Sequence, residues 1–275
     1  MKSIRFSSSV FAVGLTMVLS LFAAGCGSSG LPLPEFFPSE TPTTTVTPPP
    51  TLTHTPLPPL AFYFVDAFEP HYAKIYKMEN GQVSVYFNRA RGGQIYSFAF
   101  GPDGTLYLVD ANSFRLAKIV NGRETRFFTH TTYIRFVAFD SKGNLYFSED
   151  SGAGGDAKIY RLDGTKATLF YTIKLSDVDG FCCGGFAFDK DDNLWISNGN
   201  VAPASLYKVV DGTPQKVLTL DTESLYGFYF DPYGNLIIAN WQTNVYRYAA
   251  PDFTSRETFT VPDAMHVSGV APIKP

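Results

Sequence analysis

Four stretches of the chain repeat one another without gaps, and this repeat constrains the fold more than any other feature. Each stretch has thirteen residues that read as a strand, a four-residue turn and a second strand, rich in aromatic and aliphatic residues. Asp at the first turn position, Pro tolerated at the second and Gly at the fourth are favoured by a type I turn. Each stretch therefore predicts a β-hairpin. The stretches are residues 98–110, 137–149, 186–198 and 228–240.

A third strand, an Asn-Gly or Asp-Gly type of turn and a fourth strand follow each predicted hairpin. Successive hairpins start 39, 49 and 42 residues apart, which is typical of the four-stranded blades of a β-propeller. Because a single sheet of this kind leaves both of its faces exposed, the blades must pack face to face around an axis. The repeat therefore predicts an all-β propeller.

The two ends of the chain complete the count of blades. Residues 61–66 match the second strand of the hairpin, and strands three and four follow them, so the first blade lacks its innermost strand. The C-terminal residues 266–272 match a first strand, and we expect them to fill that place and close the ring. This predicts five blades over 61–275, with six as the alternative. The second strands are then expected to end at Asp66, Asp110, Asp150, Asn198 and Asn240.

The first sixty residues read as targeting sequence and linker. Lys2 and Arg5 precede an apolar stretch, residues 10–24, that ends in small residues, as in a signal peptide over 1–25. At about 15 residues the stretch is short for a membrane span. Residues 27–59 contain ten prolines and eight threonines, which predicts an extended stalk over 26–60, with a reach on the order of 100 Å at polyproline spacing.

The segment Leu-Phe-Ala-Ala-Gly-Cys at 21–26 resembles the lipobox of bacterial lipoproteins. The resemblance implies cleavage before Cys26 and diacylation of its thiol, and two acyl chains are what stable anchoring requires. The expected protein is thus exported and lipid-anchored to the cell membrane or outer membrane, with its propeller outside the cytoplasm. An uncleaved anchor is the alternative.

Charge and cysteine content restrict the partners. The formal net charge is −3, and loss of Lys2 and Arg5 makes it more negative, so nucleic acid is not an expected partner. The chain has three cysteines, too few for a disulfide framework. Cys182 and Cys183 are adjacent and precede two glycines, which favours a vicinal disulfide in an exported protein. Two buried free thiols, or a catalytic or metal-binding thiolate, are the alternatives.

The hairpin unit and its turn resemble the NHL-repeat propellers and their gluconolactonase-like and streptogramin-lyase-like relatives. Those families commonly have six blades, and the gluconolactonase-like enzymes hold a metal with a Glu, Asn and Asp set around the central channel. At the starts of the first strands this chain has no such set, so the metal site does not carry over and no cofactor is predicted, with Ca²⁺ or another divalent ion as a minor alternative. The residues there are Tyr96, Arg135, Gly184, Tyr226 and Ser268.

The two faces of the predicted propeller differ. The turns between strands one and two and between strands three and four are short and form what we call the turn face. The other connections are irregular and polar and form the loop face, where function is expected. The aromatic and cationic candidates for ligand binding on this face are Tyr96, Arg135, Tyr226, Trp241 and His266.

The Asp and Asn residues at the second-strand ends suggest either oxygen ligands for a metal or, as we prefer, side chains that accept backbone hydrogen bonds. His130 and His266 with Asp179 and Glu223 are a weak acid–base set, and no catalytic motif is present. The sequence thus favours a non-enzymatic module that binds a protein, glycan or small ligand. The alternative is a metal-dependent hydrolase or lyase of the gluconolactonase or streptogramin-lyase type.

Overall fold

The computed structural model describes residues 59–67, 73–89, 93–110, 114–149, 155–180, 184–199, 201–220 and 224–273. These residues form twenty β-strands. In chain order they are β1 Phe62–Asp66, β2 Lys74–Glu79, β3 Gln82–Asn88, β4 Ile95–Phe100, β5 Leu106–Asp110, β6 Arg115–Val120, β7 Arg123–Thr129, β8 Ile134–Phe139, β9 Leu145–Glu149, β10 Ala157–Asp163, β11 Lys166–Ile173, β12 Phe186–Phe188, β13 Leu194–Ser197, β14 Ser205–Val210, β15 Thr213–Thr219, β16 Gly227–Phe230, β17 Leu236–Ala239, β18 Asn244–Tyr248, β19 Arg256–Thr260 and β20 Val267–Pro272.

The described strands pair into five four-stranded antiparallel sheets, the blades of a propeller. Blade 1 has the order β20-β1-β2-β3, and blades 2 to 5 consist of β4–β7, β8–β11, β12–β15 and β16–β19. In blade 1 the C-terminal strand pairs with the N-terminal one, with Phe62 opposite Pro272 and Phe64 opposite Val270. The predicted closure and the count of five blades are therefore confirmed.

The first strand of each blade lies innermost, and these five strands contact one another around the axis. Their backbones come very close at two glycines. A Cβ atom on Gly185 would lie 2.4 Å from the carbonyl oxygen of Tyr226, and one on Gly227 would lie 2.5 Å from that of Ser268. Because no larger residue fits there, the small radius of a five-bladed ring depends on these glycines.

An aromatic pair joins the blades on the turn-face side at four of the five junctions. An aromatic residue near the start of the second strand of one blade contacts the phenylalanine that ends the inner strand of the next blade. Such pairs contribute about 0.5–1.5 kcal/mol each beyond the burial of their area. Between blade 5 and blade 1, Ile237 and Pro272 occupy the two positions. The pairs, with their centroid distances, are Tyr63–Phe100 at 4.7 Å, Tyr107–Phe139 at 5.3 Å, Tyr146–Phe188 at 4.7 Å and Trp195–Phe230 at 5.1 Å.

The aspartates of the hairpin turns stabilise the turns themselves. Asp189 accepts hydrogen bonds from the backbone N–H groups of Asp191 and Asn193 at 3.0 and 2.9 Å and from the indole N–H of Trp195 at 3.0 Å. Asp140 and Asp231 accept equivalent bonds within their own turns. The acidic run 189–192 is therefore the β12–β13 turn, as the repeat predicts, and not a calcium loop.

The chain divides into two units, Met1–Thr55 and Pro56–Pro275. The first lies outside the described residues, as do the predicted signal peptide, Cys26 and most of the stalk. β1 corresponds to the second strand of the other blades, so it runs from the turn face to the loop face. Pro59 and the buried Leu60 therefore lie on the turn-face side. The described part of the chain contains no helix, and hence none long and apolar enough to cross a membrane.

Candidate functional site

Arg135 and Tyr96 meet on the loop face, at the starts of the inner strands of blades 3 and 2. The guanidinium carbon of Arg135 lies 5.0 Å from the centroid of the Tyr96 ring, a cation–π contact. Both side chains are half-buried. Tyr96 also packs edge-on against Phe136 at 5.6 Å, which holds its ring in place.

Tyr226, Trp241 and His266 form a second group, at the junction of blades 5 and 1. The rings of Tyr226 and Trp241 are 4.5 Å apart, and those of Trp241 and His266 are 5.9 Å apart. The blade framework fixes their positions. The hydroxyl of Ser197 donates a hydrogen bond at 3.0 Å to the carbonyl oxygen of Leu225, the residue before Tyr226. The carboxylate of Asp66 accepts a hydrogen bond at 3.0 Å from the backbone N–H of His266.

Trp241 adopts a left-handed backbone conformation, with φ 61°. The equivalent residue in blade 4 is Gly199, with φ 79°, and glycine adopts this conformation without steric cost. A bulky residue in that region carries strain of about 1 kcal/mol or more, and such strain is concentrated at functional sites. The backbone N–H of Trp241 donates to the carbonyl oxygen of Val267 at 3.1 Å, which holds the conformation.

Phe136 lies between the two groups in the core. Tyr96 and Tyr226 both pack against the buried cluster that contains Phe136, and Phe136 and Tyr226 both line a small axial cavity of about 30 Å³. We call the set of Tyr96, Arg135, Phe136, Tyr226, Trp241 and His266 the aromatic band. Cys182 and Cys183 lie outside the described residues.

Phe114, which forms an exposed aromatic pair with Tyr133 on the loop face, was not predicted from the sequence. Phe114 and Tyr133 stack with their centroids 4.4 Å apart and their planes at 19°, and they are 42% and 46% exposed. They come from the β5–β6 and β7–β8 connections, which are tied together by a 2.7 Å hydrogen bond from His130 N–H to the carbonyl oxygen of Phe114. An apolar residue in an otherwise polar connection was the available signal for Phe114.

The residues predicted to end the second strands have structural partners, and these partners differ between blades. Asp150 lies outside the described residues, and Glu149 is the last described residue of β9. β13 and β17 end at Ser197 and Ala239, one residue before the predicted Asn198 and Asn240. Asn198 Oδ1 accepts from the backbone N–H of Ser205 at 2.8 Å, and Asn240 Oδ1 accepts from that of Gln242 at 3.3 Å. These two perform the predicted role of accepting backbone hydrogen bonds in the following connection.

Asp110 and Glu149 bind cationic side chains instead. Asp110 accepts a hydrogen bond at 3.0 Å from the buried Arg89. Arg89 also forms a bidentate ion pair with Glu124, with distances of 2.8 and 2.9 Å. Glu149 receives hydrogen bonds from Thr132 at 2.9 Å and pairs with Lys158 at 3.0 Å. Burial opposes ionisation of Glu149, but the bonds from Lys158, Thr132 and His130 outweigh it and lower the pKa of this carboxyl.

The weak acid–base set does not come together in the described residues. His130 Nε2 lies 3.2 Å from Glu149, enclosed by the rings of Phe147 and Tyr160 at 5.0 Å each. Asp179 pairs instead with Lys216. Glu223 lies outside the described residues. Within the ranges that the structure describes, no group of three His, Cys, Asp or Glu side chains is placed to hold a metal ion.

No family model matches the chain, and no curated protein matches it. Solved structures do match. A chain of the nidogen/laminin complex is 14% identical with a TM-score of 0.53, covering 77% of this chain and 97% of that one. A gluconolactonase from Xanthomonas campestris is 13% identical with a TM-score of 0.49, covering 70% of each chain.

A virginiamycin B lyase from Staphylococcus aureus is 16% identical with a TM-score of 0.42, and the match covers 70% of this chain but only 64% of the lyase. At these identities the likeness shows the fold alone. The protein is a five-bladed β-propeller.

Proposed function

We propose that the protein is an exported, lipid-anchored binding module whose loop face recognises a protein, glycan or small ligand through the aromatic band. The observation that carries the proposal is Trp241. A tryptophan is kept in a left-handed conformation at a position where blade 4 has Gly199. Stability alone favours glycine there, so the indole is best explained by a contact with a ligand.

The chemistry of the band suits a flat, partly apolar ligand face. Half-buried Tyr96, Tyr226 and Trp241 offer ring surface, while Arg135 and His266 add hydrogen-bond donors beside the rings. Rings with polar neighbours are a common way to bind sugars, so carbohydrate is the first class to test. The exposed Phe114–Tyr133 stack extends the apolar surface at blades 2 and 3.

The first described residues lie on the turn face, which leaves the loop face open to ligands. Pro59 lies on the turn-face side, because β1 starts there. The chain therefore enters the described domain on the face opposite to the aromatic band.

A glycan array probed with the purified protein, followed by crosslinking in intact cells, tests the proposal. The informative variant is Trp241→Gly, which removes the indole and also relieves its backbone strain. We expect this variant to keep its melting temperature within about 5 °C and to lose binding at least tenfold. Tyr233→Ala is the matched control, because Tyr233 is 66% exposed on the turn face. Unchanged binding by Trp241→Gly to every ligand found would contradict the proposal.

The alternative of a metal-dependent hydrolase or lyase rests on the family resemblance. Metal analysis of the purified protein and a panel of lactones and esters separate the two functions. A stoichiometric divalent ion together with turnover that is lost on chelation would favour the enzyme.

A further inference from the structure

The turn face has a concave feature of its own, at the other end of the axis from the aromatic band. The last residues of the five inner strands surround a cavity of about 210 Å³ there. It opens outward into a hollow of about 360 Å³ between the hairpin turns. We call this the turn-face cup. The strand-end residues that line it are Phe100, Phe139, Phe188, Phe230 and Pro272.

The apolar lining of the cup is held rigidly. Each of its four phenylalanines packs against an aromatic ring of the preceding blade at 4.7 to 5.3 Å. Two residues deeper along the inner strands, Phe186 and Val270 line both the cup and the small axial cavity and form the floor between them. A binding surface that is fixed in advance loses little conformational entropy when a ligand enters.

Carboxylates line the mouth of the cup. Asp140, Asp189 and Asp231 all border it. Lys190 also borders it, but both oxygens of Asp191 bind its ammonium at 2.8 Å. Lys208 lies 3.5 Å from Asp189. Among the described residues, Asp140 and Asp231 have no ion-pair partner, so the mouth keeps an excess of negative charge.

We propose that the turn-face cup binds a small organic cation with an apolar body, such as an aryl- or alkylammonium. Phenylalanine rings attract cations through their π faces, and the rim carboxylates add long-range attraction while they repel anions. A hollow of this size accepts a molecule with one ring and one ammonium group. This site lies on the opposite face from the aromatic band and does not depend on it.

Three probes that share a phenyl ring test the proposal by isothermal titration of the full-length protein. They are the cation benzyltrimethylammonium, neutral benzyl alcohol and the anion phenylacetate. We expect the cation to bind about tenfold or more tightly than the anion, and more weakly at high salt. In a Trp241→Phe background Trp195 is the only tryptophan. Because Trp195 packs against Phe230, its fluorescence should change with the cation.

Two variants place binding in the cup. Ile273 borders it, and Ile273→Lys should weaken binding of the cation about tenfold. Lys190→Glu should strengthen it about threefold, whereas the same change at exposed Lys166 on the outer strand β11 should have no effect. Equal binding of the cation and the anion would overturn the proposal. So would cation binding that neither Ile273→Lys nor Lys190→Glu alters.

Discussion

The carboxylate of Asp66 accepts a hydrogen bond at 3.0 Å from the backbone N–H of His266, which lies 200 residues later in the chain. Its second oxygen accepts one at 2.8 Å from Met265. Asp66 is fully buried, so a single carboxylate fixes the segment that leads into β20 against the end of β1. The closure of the ring thus depends on one side chain as well as on the pairing of two strands.

Replacing Asp66 by Ala should therefore destabilise the propeller by about 3 kcal/mol, because two backbone N–H groups lose their charged acceptor. Asp66→Asn keeps one oxygen acceptor and should cost roughly half as much. Urea unfolding followed by tryptophan fluorescence measures both. As the stronger form of this test, a chain that lacks residues 266–275 should lose most of its stability. If its unfolding midpoint equals that of the complete chain, the closure by β20 is not needed for the fold.

The pair Tyr146–Phe188 should be coupled energetically across blades 3 and 4. Their ring centroids are 4.7 Å apart, and a double-mutant cycle with Tyr146→Leu and Phe188→Leu should give a coupling of about 1 kcal/mol. Val217→Ala, at an exposed position on β15, is the control and should show no coupling to Phe188→Leu. A coupling energy near zero would show that the aromatic pairs between blades are incidental to stability.

Glu149 should make stability depend on pH in the acidic range. Its folded pKa lies below the ordinary value of 4.5, so the ionised carboxylate stabilises the folded state. This contribution is complete above that ordinary value and is lost as the pH falls through the lower folded pKa. The difference in unfolding free energy between the wild type and Glu149→Gln should be about 1–2 kcal/mol at pH 7 and should shrink at pH 3. A difference that is constant from pH 7 to pH 3 would contradict the assignment.

Cys26 is predicted to carry the lipid. Cys26→Ser should therefore move the protein from the membrane fraction to the soluble extracytoplasmic fraction, or leave the precursor uncleaved. Labelling with a radioactive or clickable fatty acid checks this directly, with Cys182→Ser as the control that keeps its label. Equal labelling of Cys26→Ser would show that the lipobox interpretation is wrong.

Cys182 and Cys183 are predicted to form a vicinal disulfide. The native protein should then be lighter by two hydrogen atoms than the reduced protein, and it should gain two alkylatable thiols only after reduction. Intact-mass spectrometry before and after reduction measures both. Two thiols that react with iodoacetamide in the unreduced, denatured protein would favour the free-thiol alternative.

Much of the fold was predictable because its signals are local. The hairpin turns are specified by short patterns such as Asp231-Pro232-Tyr233-Gly234, whose turn chemistry acts within a few residues. Even the closure was readable, because residues 266–272 match the first strand of the repeat. The strand ends show the limit. β13 and β17 end at Ser197 and Ala239, one residue before the predicted Asn198 and Asn240, because the pairing of neighbouring strands decides where each strand stops.

The candidate sites were less predictable. The sequence indicated which residues lie on the loop face, but not that Arg135 lies over Tyr96 or that Trp241 contacts both Tyr226 and His266. Phe114 and the turn-face cup were not predicted at all. These features join residues at least 15 positions apart, most of them on different blades, and no local pattern encodes such contacts.

The sequence by itself determined the all-β class, the number of blades and the strand that closes the ring, since strand periodicity and turn chemistry are properties of short segments. The tertiary structure alone decided what each equivalent position does. Asp66, Asp110, Glu149, Asn198 and Asn240 occupy one place in the repeat, yet each binds a different partner. The reason is physical: packing of neighbouring blades and connections brings different groups within hydrogen-bonding distance in each blade, and that packing depends on the whole ring.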